Sequence, residues 1–134
     1  MFKISTKSQY GLRAMTYLAR QKNICPLKEI AKAEGISFDY LEKIISKLEK
    51  AGLVKAKKGV QGGYFISKKP SKIKVFEIIS ALEPNKQLVK CIPYGNNKIT
   101  CPREKKCLTK SLWKKVYDAV NKTLNSITLL DLTR

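Results

Sequence analysis

Between Lys7 and Arg20 apolar residues recur as Tyr10, Ala14, Tyr17 and Leu18, with Leu12, Met15 and Ala19 beside them. That three-and-four spacing predicts a helix with one buried face. Asn23 to Pro26 predicts a break, and Leu27 to Ala33 a second, shorter helix that stops at Glu34-Gly35. Ser37 then reads as an N-cap, with Asp39 in the first turn, where the helix dipole favours a carboxylate. The helix that follows, roughly Phe38 to Ala51, carries Leu41, Ile44, Ile45 and Leu48 on one face and meets a glycine stop at Gly52. Two helices joined by a short glycine-containing turn are the helix-turn-helix pattern.

The period then switches. Leu53 to Ala56 and Tyr64 to Ile66 predict two short strands, joined by the basic, glycine-rich run Lys57-Lys58-Gly59-Val60-Gln61-Gly62-Gly63. This run lacks the GxxxxGK[ST] pattern of a nucleotide-phosphate loop. A helix-turn-helix followed at once by a lysine-rich hairpin predicts a winged helix. A further helix over Val75 to Leu82, with Phe76, Ile79 and Leu82 apolar, closes the core. Later, Trp113, Tyr117, Val120, Leu124 and Ile127 step by four, three, four and three, and Leu112, Val116 and Ala119 widen the stripe. A long amphipathic helix after a small domain predicts pairing with a second copy. The expected fold class is mainly α, a winged helix-turn-helix with a small two-stranded wing plus a long C-terminal dimerisation helix. The expected division is residues 1–83 as the DNA-binding domain, 84–110 as a cysteine-bearing loop, and 111–134 as the dimerisation helix and tail.

Charge changes the picture next. The chain has 134 residues, 28 Lys or Arg against 10 Asp or Glu, and a formal net charge of +18. Residues 1–83 hold 17 basic and 7 acidic residues, a net of +10, so the excess is no polybasic tail. A field of this size favours a polyanion, and nucleic acid is the natural partner. Lysines dominate over arginines, so most of the charge is expected to set affinity and salt dependence and little of it sequence choice. The absence of histidine, paired carboxylates and a nucleotide loop argues against an enzyme. No apolar run approaches a membrane span, and Met1-Phe2-Lys3-Ile4-Ser5 lacks the apolar stretch of a secretory signal, so a cytoplasmic address is expected.

Cys91, Cys101 and Cys107 fall in the pattern C-x9-C-x5-C, while Cys25 stands apart and reads as a small buried hydrophobe. Clustered cysteines in a reducing compartment suggest metal or redox chemistry before structural disulfides. The spacings are too long for the paired knuckles of zinc sites. Three thiolates on one loop suit an iron–sulfur cluster with one more ligand from elsewhere. Lys90, Lys98, Arg103, Lys105 and Lys106 would offset thiolate charge, and would equally suit a metal-free thiol switch.

The chain resembles, over essentially its whole length, the IscR family of winged-helix transcription regulators, which also includes NsrR and CymR. The resemblance lies in Ile4-Ser-Thr-Lys-Ser-Gln-Tyr-Gly-Leu-Arg-Ala-Met15, in Ile36-Ser-Phe-Asp-Tyr-Leu-Glu42 with Leu48, and in Gly52-Leu-Val54 with Gly59-Val-Gln-Gly-Gly-Tyr64. Most specific are Cys101-Pro-Arg-Glu-Lys-Lys-Cys107-Leu-Thr-Lys-Ser-Leu-Trp113 and Thr128-Leu-Leu-Asp-Leu132. It implies a homodimeric regulator, a repressor, that binds double-stranded DNA at a palindromic operator. It also implies an iron–sulfur cluster held by Cys91, Cys101 and Cys107, with 2Fe–2S ranked ahead of 4Fe–4S. A recognition helix would present Ser37, Asp39, Tyr40, Glu42 and Lys43, and a wing Lys57, Lys58 and Gln61. Two positions depart from the family. IscR has a histidine ligand where this chain has Lys110, and NsrR an aspartate where this chain has Gln9. A carboxylate, Gln9, an exogenous thiol or solvent stand open as fourth ligand. The alternative is a cluster-free, CymR-like regulator controlled by a protein partner or by thiol oxidation.

Overall fold

A computed structural model describes residues 4–83, 92, 101–103 and 105–134. Helix α1 (Thr6–Arg20) starts at Ser5, whose hydroxyl accepts from the Ser8 amide at 3.1 Å. Its buried face is Ser8, Gly11, Ala14, Met15 and Leu18, with Tyr10 and Tyr17 half-buried on the flanks. Small residues take the closest positions because another helix crosses there. A Cβ on Gly11 would lie 2.1 Å from Leu82 Cδ1, closer than atoms can pack.

Helix α2 (Leu27–Glu34) ends at Gly35, whose φ of 65° is left-handed and favours glycine. Helix α3 (Phe38–Lys50) is capped by Ser37, whose hydroxyl accepts from the Tyr40 amide at 3.3 Å. Its buried face is Leu41, Ile44, Ile45 and Leu48, the four positions expected from their spacing. Strands β1 (Val54–Lys57) and β2 (Gly63–Ile66) pair antiparallel, with Val54 opposite Ile66 and Lys57 opposite Gly63. Cys25 adds a rung: its amide donates to Tyr64 O at 3.0 Å, and the Tyr64 amide donates to Cys25 O at 2.8 Å. Gly63 permits that approach, since a Cβ there would sit 2.3 Å from Cys25 O.

A 3-10 turn (Pro70–Lys72) leads into α4 (Val75–Leu82), which buries Val75, Ile78, Ile79 and Leu82 and leaves Phe76 half-buried. Helix α5 (Lys110–Ser126) stops one residue before Ile127, so the last member of the predicted stripe lies in extended chain. There the chain turns back. The Val75 amide donates to Ile127 O at 2.9 Å, and the Leu129 amide donates to Ile73 O at 2.8 Å. The short helix α6 (Leu129–Leu132) then places Leu129, fully buried, in the same core as Met15, Ile30, Ile44, Ile73 and Ile78. Among the described residues no helix is long and apolar enough to cross a membrane.

Candidate nucleic-acid interface and cysteine segment

Burying Leu41, Ile44, Ile45 and Leu48 forces the opposite side of α3 to solvent. Asp39, Glu42 and Lys43 are exposed there, and Ser37 is exposed at the cap. Tyr40 is placed differently. It is half-buried against the core, its ring edge-on to Tyr10 with centroids 5.8 Å apart, so it sits on the flank and not on the outer face. Phe38, absent from the outward residues read from the sequence, is 40% exposed. A position-by-position reading skips it because an aromatic residue defaults to the core.

The wing lies beside this helix. Burial raises the Tyr64 phenol above its ordinary value, and the Glu49 and Glu42 carboxylates of α3 raise it further. Lys57, Lys58 and Gln61 are exposed at the end of β1 and in the turn that follows. The turn is closed by the Gly62 amide donating to Gly59 O at 3.0 Å. The exposed residues of the hairpin are thus cationic, and the exposed face of α3, whose Glu42 and Glu49 act on Tyr64 of the wing, is mixed in charge.

Just after α4, Glu83 Oε1 accepts from the Ser5 amide at 3.3 Å, from the Ser5 hydroxyl, and from the buried Ser8 hydroxyl at 2.6 Å. Burial alone would raise this carboxyl. The hydrogen bonds from Ser5 and Ser8 and the charge of Lys7 outweigh it and hold the group below the ordinary carboxylate range. The chain thereby ties the start of α1 to the end of α4. Sequence reasoning missed this cluster. Ser5 and Ser8 lie three residues apart, but the carboxylate they share lies 75 residues beyond Ser8.

Of the cysteines, Cys25 is 3% exposed, and burial followed by the Glu29 carboxylate pushes its thiol up. It is a core residue, as its isolation suggested. Cys101 and Cys107 are free and half-buried in the stretch before α5. Cys107 Sγ lies 3.0 Å from the Thr109 hydroxyl. That side-chain contact, then backbone bonds from Thr109 and Lys110 and the charge of Arg103, hold the Cys107 thiol below its ordinary value. A shallow depression of about 550 Å³ around Cys107 is lined by Lys105, Leu108, Lys110, Ser111 and Lys114. Cys91 lies outside the described residues, and among those described no group of three His, Cys, Asp or Glu stands close enough to hold a metal. In kind, Cys101 and Cys107 are soft sulfur donors that suit a thiophilic group, and Cys107, its thiol held below the ordinary value, is the readier ligand of that chemistry.

The sequence profile of the Rrf2 family, described as an iron-dependent transcriptional regulator, matches residues 4–134. Protein rrf2 of Nitratidesulfovibrio vulgaris (strain Hildenborough) is 37% identical over 134 residues, covering 98% of this chain and 87% of that protein. The solved structure of T. potens IscR is similar with a TM-score of 0.77 and 41% identity, over 98% of this chain and 85% of that one. The structure of CymR (YrzC), the global cysteine regulator of B. subtilis, is similar with a TM-score of 0.76 and 37% identity, over 99% and 97% of the two chains.

Proposed function

Because the chain belongs to the Rrf2 family of transcriptional regulators, a DNA-binding and non-enzymatic family, we propose that it is a homodimeric, cytoplasmic repressor that senses iron–sulfur cluster status, redox state or nitric oxide. The observation that carries the DNA-reading part is the Ser37-capped α3, with a hydrophilic outer face beside a lysine-bearing wing. In this reading residues 1–83 read DNA, 84–110 carry the sensor and 111–134 provide the dimer helix and a tail, the tail placing Leu129 in the core of the winged helix. Helix α3 enters the major groove with its N-terminal end nearest the bases. Ser37, Asp39, Glu42 and Lys43 face base edges, Tyr40 approaches from the flank, and Lys57, Lys58 and Gln61 of the wing reach the minor groove or flanking phosphates. A dimer through α5 sets two half-sites of a palindrome about 34–36 Å apart, or a multiple of that.

The sensor residues are Cys91, Cys101 and Cys107. A cluster held by these thiolates, 2Fe–2S ahead of 4Fe–4S, would supply a centre that oxidants and nitric oxide attack. What the chain itself contributes is placement, because the cysteine segment lies between Glu83, tied to α1, and the first turn of α5. A group bound by these cysteines would thereby be placed to bias the position of the dimer helix against the winged helix, and so which operators fit.

A second reading keeps the DNA contacts and dispenses with metal. The similarity to CymR and the lysine at 110, where IscR has a ligand, favour it. The two are separated by anaerobic purification of the full chain with an absorption spectrum and iron and sulfide quantitation. The cluster reading expects a coloured protein whose absorption is lost in Cys101→Ala together with a change in operator affinity. A colourless protein that still selects its operator, or a Cys101→Ala variant with every affinity unchanged, overturns it.

A further inference from the structure

The first turn of α3 divides its apolar residues in an unusual way. Ile36, before the cap, and Leu41, one turn in, are 4% and 0% exposed, so the hydrophobic pair that fixes the helix entry is already complete. Tyr40 covers the flank against Tyr10. Phe38 is left over. It is 40% exposed, where Leu41 on the same helix is fully buried. It sits at the edge of the outer face, with buried Leu41 three residues on and exposed Glu42 four residues on, beside the polar, exposed Ser37, Asp39 and Lys43.

This ring stands at the end of the helix that comes nearest the bases. It offers no hydrogen-bond donor or acceptor, so it cannot pair with the polar edge groups of the major groove. One apolar group is available there, the C5 methyl of thymine, and phenylalanine is among the side chains that contact it. We propose that Phe38 is a specificity-determining residue that reads thymine methyl groups within each operator half-site. The inference rests on the placing of α3 in the major groove argued above. It divides the work of the helix. Ser37, Asp39, Glu42 and Lys43 discriminate by hydrogen bonding, and Phe38 discriminates thymine from every other base by shape and apolarity.

The test uses the full-length chain, purified anaerobically, and duplexes selected by it from a random-sequence library. Each thymine of the selected operator is replaced singly by deoxyuridine, which removes the methyl group and leaves the hydrogen-bonding edge intact. Dissociation constants are read by fluorescence anisotropy at one fixed salt concentration. At one or two thymines per half-site, removal of the methyl weakens wild-type binding about fourfold, equivalent to about 0.8 kcal/mol for one buried methyl-sized group. Phe38→Ala binds thymine and uracil equally at those positions, while Phe38→Leu, still apolar, keeps part of the preference. Phe38 is 40% exposed, so Phe38→Ala lowers the thermal midpoint modestly and Phe38→Leu less, and all three proteins are compared at a temperature well below every midpoint. An operator bound equally well after every replacement, or a methyl preference that persists in Phe38→Ala, overturns the role of Phe38 and leaves α3 as the reading helix. If the chain selects no sequence from the library, the placing of α3 fails and the role of Phe38 falls with it.

Discussion

The hydroxyl of Ser8 is fully buried, and Glu83 Oε1 is the acceptor that makes its burial tolerable. Replacing Glu83 with Ala strands both serine hydroxyls, so unfolding in urea is expected to show a loss of about 1–3 kcal/mol. Glu83→Gln keeps an acceptor oxygen and loses less. The pH dependence has a definite sign. The folded carboxyl is held below its ordinary value, so its contribution is complete above that ordinary value. It disappears as pH falls through the depressed folded value. The stability gap between wild type and Glu83→Ala therefore narrows on acidification, and a gap that widened would assign Glu83 the opposite electrostatics. A cap serine is legible from three or four neighbouring residues. A carboxylate reaching it from the far end of the domain is not, because nothing in the local sequence names the partner.

At the scale of elements, the wing depends on one backbone contact and one charge. Gly63 lies against Cys25 O, and a Cβ there would sit 2.3 Å from that oxygen. Gly63→Ala is expected to displace β2 from the Cys25 rung, lowering stability by about 1–3 kcal/mol, read as a lower thermal midpoint. Lys58 is exposed at the other end of the hairpin, where the proposed reading has it meet a phosphate. With Lys58→Ala, operator affinity falls and the slope of log affinity against log salt drops by about one unit. An unchanged slope removes Lys58 from the phosphate contacts. The hairpin itself was readable from its turn residues, whereas the pairing of Cys25 with Tyr64 was not. A single bridging residue carries no period.

Among the described residues, the apolar stripe of α5 is covered only in part by a single copy. Among the described residues none of α5 is buried, and Leu112 and Val120 are 51% and 39% exposed. A second copy of α5 would cover them, as the proposed dimer requires. The double substitution Leu112→Glu with Val120→Glu places charge in that interface. Analytical ultracentrifugation is expected to show a shift from dimer toward monomer, with operator affinity falling at least tenfold because two half-sites no longer bind as one. A variant that stays dimeric would move the interface elsewhere. The chain end belongs to this scale too. Leu129 is buried beside Ile73 and Met15, so α6 closes the core formed by the first 82 residues.

Local chemistry accounts for what was legible beforehand. The period of α3, the Ser37 cap, the Gly35 turn and the basic hairpin are set by interactions within a few residues of one another, which is why a winged helix can be read from the chain alone. Packing decided the rest. Whether Tyr40 or Phe38 faces outward depends on whether α1 offers a ring to lean on, and Tyr10 offers it to Tyr40. Gly11 is close to α4 because Leu82 fills the space a Cβ would need, and Ile127 leaves the helix because Val75 offers it a backbone partner. Each of these outcomes turns on contact between segments far apart in the chain. The free energy of such a contact exists only once both segments are in place, so no window of sequence contains it.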